Sequence, residues 1–223
     1  MCGRFVLSSP VSIIAEEFNA EHSLFDLEPS YNVAPTHKIV IVQKEGVNKL
    51  IQCRWGFIPA WAKDPKIGYK MINARAETIA EKTAFRSAFK NQRCLIVADG
   101  FFEWQREGKT KKPVYIKLKS DKAFGFAGIY SVWTSPEGEK ACTCTIITTE
   151  ANELLESVHD RMPAIIPKEK YDIWLDQKIQ DKESLLPLLK PYNSSDIEAC
   201  YVSSKVNSPS YNSADIINPL SYL

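Results

Sequence analysis

Short apolar runs separated by turn-rich segments constrain the fold of this chain more than any other feature. Ile39–Val42 and Leu50–Phe57 flank Lys44-Glu45-Gly46-Val47-Asn48 as two strands flank a turn. Cys94–Ala98 is a continuous apolar run ending at Asp99-Gly100, the signature of a buried strand. Phe101–Gln105 and Val114–Leu118 bracket the charged Glu107–Lys112 and predict a hairpin. Two further strands fall at Phe124–Trp133 and Thr143–Thr149, on either side of Ser135-Pro136-Glu137-Gly138. Helices are fewer. Ser9-Pro10 before Val11, Ile14 and Phe18 predicts a capped amphipathic helix with Pro in its first turn. Helical spacing also joins Ile79, Phe85, Ala88 and Phe89, then Ala151, Leu154, Leu155 and Val158, and two more helices are expected at Asp172–Leu175 and Leu185–Leu189. Strands that mostly follow one another, without regular strand–helix alternation, indicate an α+β fold with an antiparallel or mixed sheet.

A length of 223 residues lies between the usual one and two domains. No repeat, low-complexity tract or dividing linker interrupts it, so one domain over residues 1–223 is expected. No apolar run approaches the roughly 18 residues that span a bilayer, and Met1-Cys2-Gly3-Arg4 does not open a secretory signal. A cytoplasmic protein without membrane contact is expected. The 28 Lys and Arg against 27 Asp and Glu exclude a polycation that grips nucleic acid by bulk charge, though not a local basic groove. The run at Lys109–Lys112 reads as a solvated hairpin tip, with attraction of polyanions as the alternative. The six cysteines form no CxxC pair, and three histidines are too few for a Cys/His zinc set, so no metal or other cofactor is expected. Cys142 and Cys144 read as small packing residues on one strand face.

Position 2 carries the most chemistry. Initiator Met is commonly removed before a side chain as small as that of Cys2, which would leave an α-amine and a thiol on one residue. Reference pKa values of about 7.7–8.0 and 8.5 keep both nucleophiles partly available near neutrality. Such a β-aminothiol condenses with an aldehyde to an imine and then closes a thiazolidine through sulfur. An N-terminal Cys is therefore a peptidase-like nucleophile or an aldehyde trap. In Met71–Thr78, Asn73, Arg75 and Glu77 alternate, so an extended chain shows all three on one face. Glu103 stands between Phe102 and Trp104, where desolvation would raise its pKa toward acid–base duty. A strand-end carboxylate facing water is the plainer alternative. His159-Asp160-Arg161-Met162-Pro163 holds the only His of the second half, while His22 and His37 lie in loop-like contexts without chemical neighbours. Arg54-Trp55-Gly56-Phe57-Ile58-Pro59-Ala60-Trp61 mixes cations with aromatic planes, as single-strand binders do, although a buried turn would explain Trp55 equally.

Taken together, the segments Met1–Phe5, Tyr31–Thr36, Arg54–Gly56, Asn73–Thr78, Ala98–Trp104 and His159–Pro163 resemble the SRAP family, the SOS-response-associated peptidases or abasic-site processing proteins. They run in family order, and a weaker match continues through Val202-Ser203 and Val206-Asn207. The resemblance implies a curved, barrel-like, mostly antiparallel sheet flanked by helices, with the mature N-terminus in a cleft. It further implies binding of single-stranded DNA and covalent capture of an abasic site through Cys2. Cys2, Asn73, Glu103 and His159 match the family's active-site positions; Arg4, Asn32, Trp61, Arg75 and Arg161 fall on or near positions lining the DNA cleft. Ser208-Pro209-Ser210-Tyr211 lacks the basic residue expected after that Pro, which questions one minor DNA contact. The ranking that follows is an abasic-site crosslinking enzyme, then a cysteine peptidase using Cys2, His159 and Glu103, then a non-catalytic DNA-binding module. A monomer is expected, associated with the nucleoid when on damaged DNA.

Overall fold

The computed structural model describes residues 2–22 and 25–223, with His22 described by its backbone; removal of Met1 lies outside the described residues. The strands are β1 (Arg4–Leu7), β2 (Ala20–His22), β3 (Ser30–Val33), β4 (Lys38–Glu45), β5 (Val47–Trp55), β6 (Asn73–Arg75), β7 (Arg93–Ala98), β8 (Gly100–Glu107), β9 (Thr110–Leu118), β10 (Phe124–Thr134), β11 (Lys140–Glu150), β12 (Arg161–Pro163), β13 (Ile165–Ile166), β14 (Ile197–Tyr201) and β15 (Ser221–Tyr222). The α-helices are short: α1 (Val11–Glu17), α2 (Arg86–Asn91), α3 (Tyr171–Leu175) and α4 (Lys182–Leu185).

One sheet runs β15-β14-β9-β8-β1-β3. The other follows β11-β10-β7-β4-β5 and closes on itself where β5 and β11 pair in parallel, Thr143 opposite Arg54 and Cys144 opposite Trp55. This makes a five-stranded barrel that removes its own free edges. β2 and β6 are the other parallel additions, on β5 and β11; the remaining pairings are antiparallel, so the α+β, curved and mostly antiparallel expectation is met. β7 is buried at every residue, as its unbroken apolar run requires, and Phe5, Phe101, Phe124 and Phe126 meet edge-on or tilted in the core that both sheets share. Arg93, the one cation at the start of β7, is 0% exposed. Its five N–H groups donate to the carbonyls of Phe89, Lys90, Trp174, Asp176 and Ile179, tying α2 and the chain after α3 to the barrel.

The chain departs from its sequence pattern at several places. Ala151–Val158 is a series of turns, not a helix: Asn152 accepts the Leu155 N–H on its side chain and donates to Tyr192 O, holding isolated turns. Pro10 stands at the N-cap of α1, and the Ser9 hydroxyl donates to Asp99 instead of capping the helix. Cys142 is not a mere packing residue. The parallel β5–β11 pair sets it beside Cys53, and the two form a disulfide with Cα atoms 4.8 Å apart, whereas Cys144 is a free buried thiol. Gly56 shows why Arg54-Trp55-Gly56 ends as it does. At φ +132° it passes so close to Gly68 that a Cβ would lie 2.9 Å from the Gly68 carbonyl oxygen. That contact folds the 56–71 loop over the barrel end, where the buried Trp55 indole donates to Ile72 O at 2.8 Å.

Candidate active site

Four segments converge at one end of the β1–β8 pair. β1 meets β8 with Arg4 opposite Phe102, and extending that register sets residues 2 and 3 alongside Glu103 and Trp104. β6 lies parallel to β11 with Asn73 opposite Ile146, and β12 flanks the far side of β11, bringing His159 in just ahead of Arg161. The Asn73 amide donates to the Cys2 carbonyl at 2.8 Å, while its Oδ1 is buried with no hydrogen-bond partner. Cys2 is thus clamped through its main chain, beside an acceptor with no donor among the described residues.

Cys2 is 0% exposed, and its sulfur lies 3.7 Å from Arg4 O. Burial, then the charge of Glu103, pushes its thiol well above the ordinary cysteine range, so it rests as S–H. Glu103 is 4% exposed; burial lifts its carboxyl above the usual range, with the positive charges of the chain terminus and of His159 acting the other way. The expectation of a desolvated carboxylate therefore holds over that of one facing water. His159 lies partly exposed. Its Nδ1 is 3.0 Å from the Arg161 N–H and 2.8 Å from Asp160 Oδ1. A neutral ring accepts the N–H there and keeps its other nitrogen protonated; a charged ring turns the same atom into a donor to Asp160. Glu103 and His159 line one cavity of about 470 Å³ together with Trp104, Arg106, Lys111 and Asn207.

The five residues expected at a DNA cleft separate into two sets. Asn32 is 1% exposed, and its amide donates to Val206, Ser208 and Tyr211 carbonyls while accepting from Arg4. Arg4 also donates to Val206 O. Arg161 is bidentate to Glu77, at 2.5 and 3.0 Å, and donates to Thr148 O. Those three side chains bond within the protein. Arg75 is exposed and has no ion pair among the described residues, and Trp61, 62% exposed, lines a separate cavity of about 230 Å³ with Phe57 and Arg86. Sequence reasoning named Trp104, Lys111 and Asn207 without assigning them to this cavity, and did not single out Arg106. Trp104 is fixed by its indole N–H, which donates to Asn207 Oδ1 at 2.7 Å. The hairpin register, Arg106 opposite Lys111, was the available signal for the two cations. Among the described residues, no three His, Cys, Asp or Glu side chains gather as a metal site, and no helix is long and apolar enough to cross a membrane.

The comparisons with known proteins place the chain in a family. The model for SOS response associated peptidases matches residues 1–209, and the chain belongs to that family. It is 53% identical over 221 residues to Abasic site processing protein YoqW of Bacillus subtilis, covering 97% of this chain and 99% of that one. Similarity extends to Abasic site processing protein YedK of Escherichia coli, 32% identical over 82% of this chain and 83% of the relative. Among solved structures, a Bacteroides thetaiotaomicron protein superposes with a TM-score of 0.91 at 29% identity, covering 98% of this chain and 99% of its own.

Proposed function

We propose that this chain processes abasic sites by binding single-stranded DNA and capturing the ring-opened sugar covalently through Cys2, freed of Met1. The observation that carries the reading is the Cys2 carbonyl clamped by Asn73 beside Glu103 and the cavity that Glu103 shares with His159. The relatives' names supply the substrate class.

An abasic sugar exists mostly as a closed hemiacetal. His159 gives a proton to the ring oxygen while the C1′ hydroxyl loses its own to water, so the bond from C1′ to the ring oxygen breaks and the aldehyde opens. The unprotonated Cys2 amine adds to C1′, giving a carbinolamine; a proton from Glu103 carries off its hydroxyl as water and leaves an imine. The thiol then adds to the imine carbon, its proton passing to the imine nitrogen, and a thiazolidine closes. The balance is one water lost per adduct, with no oxidant or cofactor. The peptidase alternative with Cys2, His159 and Glu103 fits less well. A Cys–His nucleophile needs a lowered thiol pKa, and burial acts the opposite way on Cys2. All four side chains come from one chain, so the reading calls for no partner subunit. Arg75 and Trp61, exposed on a protein of net charge +1, suit a short contact with few phosphates.

Single-turnover rates on two aldehydes test this assignment. His159→Ala should slow capture of the closed abasic sugar while a small open aldehyde is trapped at the wild-type rate. Glu103→Ala should impair both, and Cys2→Ser should leave a reversible imine that borohydride fixes. Equal slowing of both substrates by His159→Ala refutes its role as the ring-opening acid. Casein cleavage lost with Cys2→Ala, alongside no DNA adduct in the wild type, would favour the peptidase.

A further inference from the structure

The β8–β9 hairpin sets two cations on the wall of the cavity that Glu103 and His159 line. Arg106 lies directly opposite Lys111, both exposed, and both line the cavity that holds Glu103 and His159. Like charges placed opposite on neighbouring strands destabilise the pair. The acid nearest along the hairpin, Glu107, is already taken by Lys112, at 2.5 Å. Among the described residues neither Arg106 nor Lys111 has an ion pair. A solvated tip would gain by scattering such charges. This one keeps them together, beside a tryptophan whose ring is fixed by Asn207.

Lys111 also borders a second cavity of about 500 Å³, with Lys112, Pro113, Tyr201, Val202, Ser204, Leu220 and Ser221 on its walls. Lys112 lies over the Tyr201 ring at 5.9 Å from its centroid, and Leu220 is exposed. The two cavities therefore meet at Lys111. One offers proton-transfer groups and the other an aromatic and apolar floor.

We propose that Arg106 and Lys111 form a phosphate subsite, which takes the phosphodiester flanking the abasic sugar and directs the next nucleotide toward the Tyr201–Leu220 cavity. The planar guanidinium and the compact ammonium together meet two non-bridging oxygens of one phosphate. The anion removes the repulsion between the two side chains, so binding is favoured by the same feature that strains the free hairpin. The subsite rests on the nucleic-acid reading above, but not on its covalent step.

Equilibrium binding of a short single strand bearing a tetrahydrofuran abasic analogue tests it, because that analogue cannot open or crosslink. Fluorescence anisotropy is measured across salt for the wild type, Arg106→Gln/Lys111→Gln, and Lys190→Gln as an exposed-charge control. Two lost contacts at about 0.7 each should flatten the log–log salt slope by about 1.4. Between 50 and 200 mM salt, wild-type affinity should then fall roughly sevenfold more than that of the double variant. Lys190→Gln should follow the wild type, and the free double variant should melt no lower than the wild type, which excludes misfolding. A double variant with the wild-type slope and affinity overturns the subsite. Failure of the covalent reading would appear separately, as no adduct with an authentic abasic site, while the anisotropy result stands.

Discussion

Replacing Glu103 by Gln should stabilise the protein at neutral pH. The side chain is 4% exposed and burial raises its pKa, so the folded state holds the Glu103 proton more tightly than the unfolded chain does. Stability is then greatest below the unfolded value of about 4.3, declines as pH rises through the folded value, and stays reduced above it. Each pH unit between the two values weakens the folded state by about 1.4 kcal/mol. Glutamine has the same shape and no charge to bury, so it escapes that loss. For a chain of this size, 1 kcal/mol corresponds to about 2–4 °C in Tm. Thermal melts of both proteins from pH 4 to 8 should coincide at the acid end and diverge as pH rises, with Glu103→Gln the higher at pH 7.5. A variant less stable than the wild type by the same amount at every pH would show that the carboxylate is a net stabilising ion and that its desolvation is not the dominant effect.

Asn32→Ala removes one acceptor of the Arg4 guanidinium and the side-chain donor to the Ser208 and Tyr211 carbonyls, while Arg4 still holds Val206 O. A loss on the order of 2–3 kcal/mol is expected in urea unfolding, with faster amide exchange in that segment; unchanged stability would mean water replaces the side chain at no cost. Arg93→Lys offers three donors where five carbonyls wait, and should cost more than about 2 kcal/mol in the same assay. Alkylation of the denatured, unreduced protein should label Cys2, Cys94, Cys144 and Cys200 and spare Cys53 and Cys142 until reductant is added; labelling of all six at once would refute the disulfide.

Elements whose reasons are local were legible in the sequence. The β8–β9 hairpin follows from alternation around a charged tip, and β7 from an unbroken apolar run. Barrel closure was not, because Arg54–Trp55 and Thr143–Cys144 pair in parallel across some 90 residues and neither segment marks its partner. The Cys53–Cys142 bond depends on that closure and was hidden with it. Ala151–Val158 has a helix's spacing, but Asn152 spends its side chain on Tyr192 O and on a turn, which letters alone do not reveal. The motifs singled out Cys2, Asn73, Glu103 and His159, which the structure brings to one end of the β1–β8 pair. They could not say whether an arginine faces solvent or a carboxylate: Arg75 is exposed, while Arg161 is locked on Glu77. Nor could the sequence show that Arg106 and Lys111 of the hairpin line the same cavity as Glu103 and His159.

Capture by the amine and thiol of Cys2 is the central claim, and intact mass reads it directly. The wild-type protein, mixed with a single-stranded oligonucleotide carrying one authentic abasic site, should lack Met1 and gain the mass of the oligonucleotide less one water. The adduct should survive without borohydride and map to the N-terminal peptide. Cys2→Ala, and a variant with residues added before Cys2, should gain no such mass. An adduct of equal yield in the variant with the blocked N-terminus would contradict the α-amine mechanism.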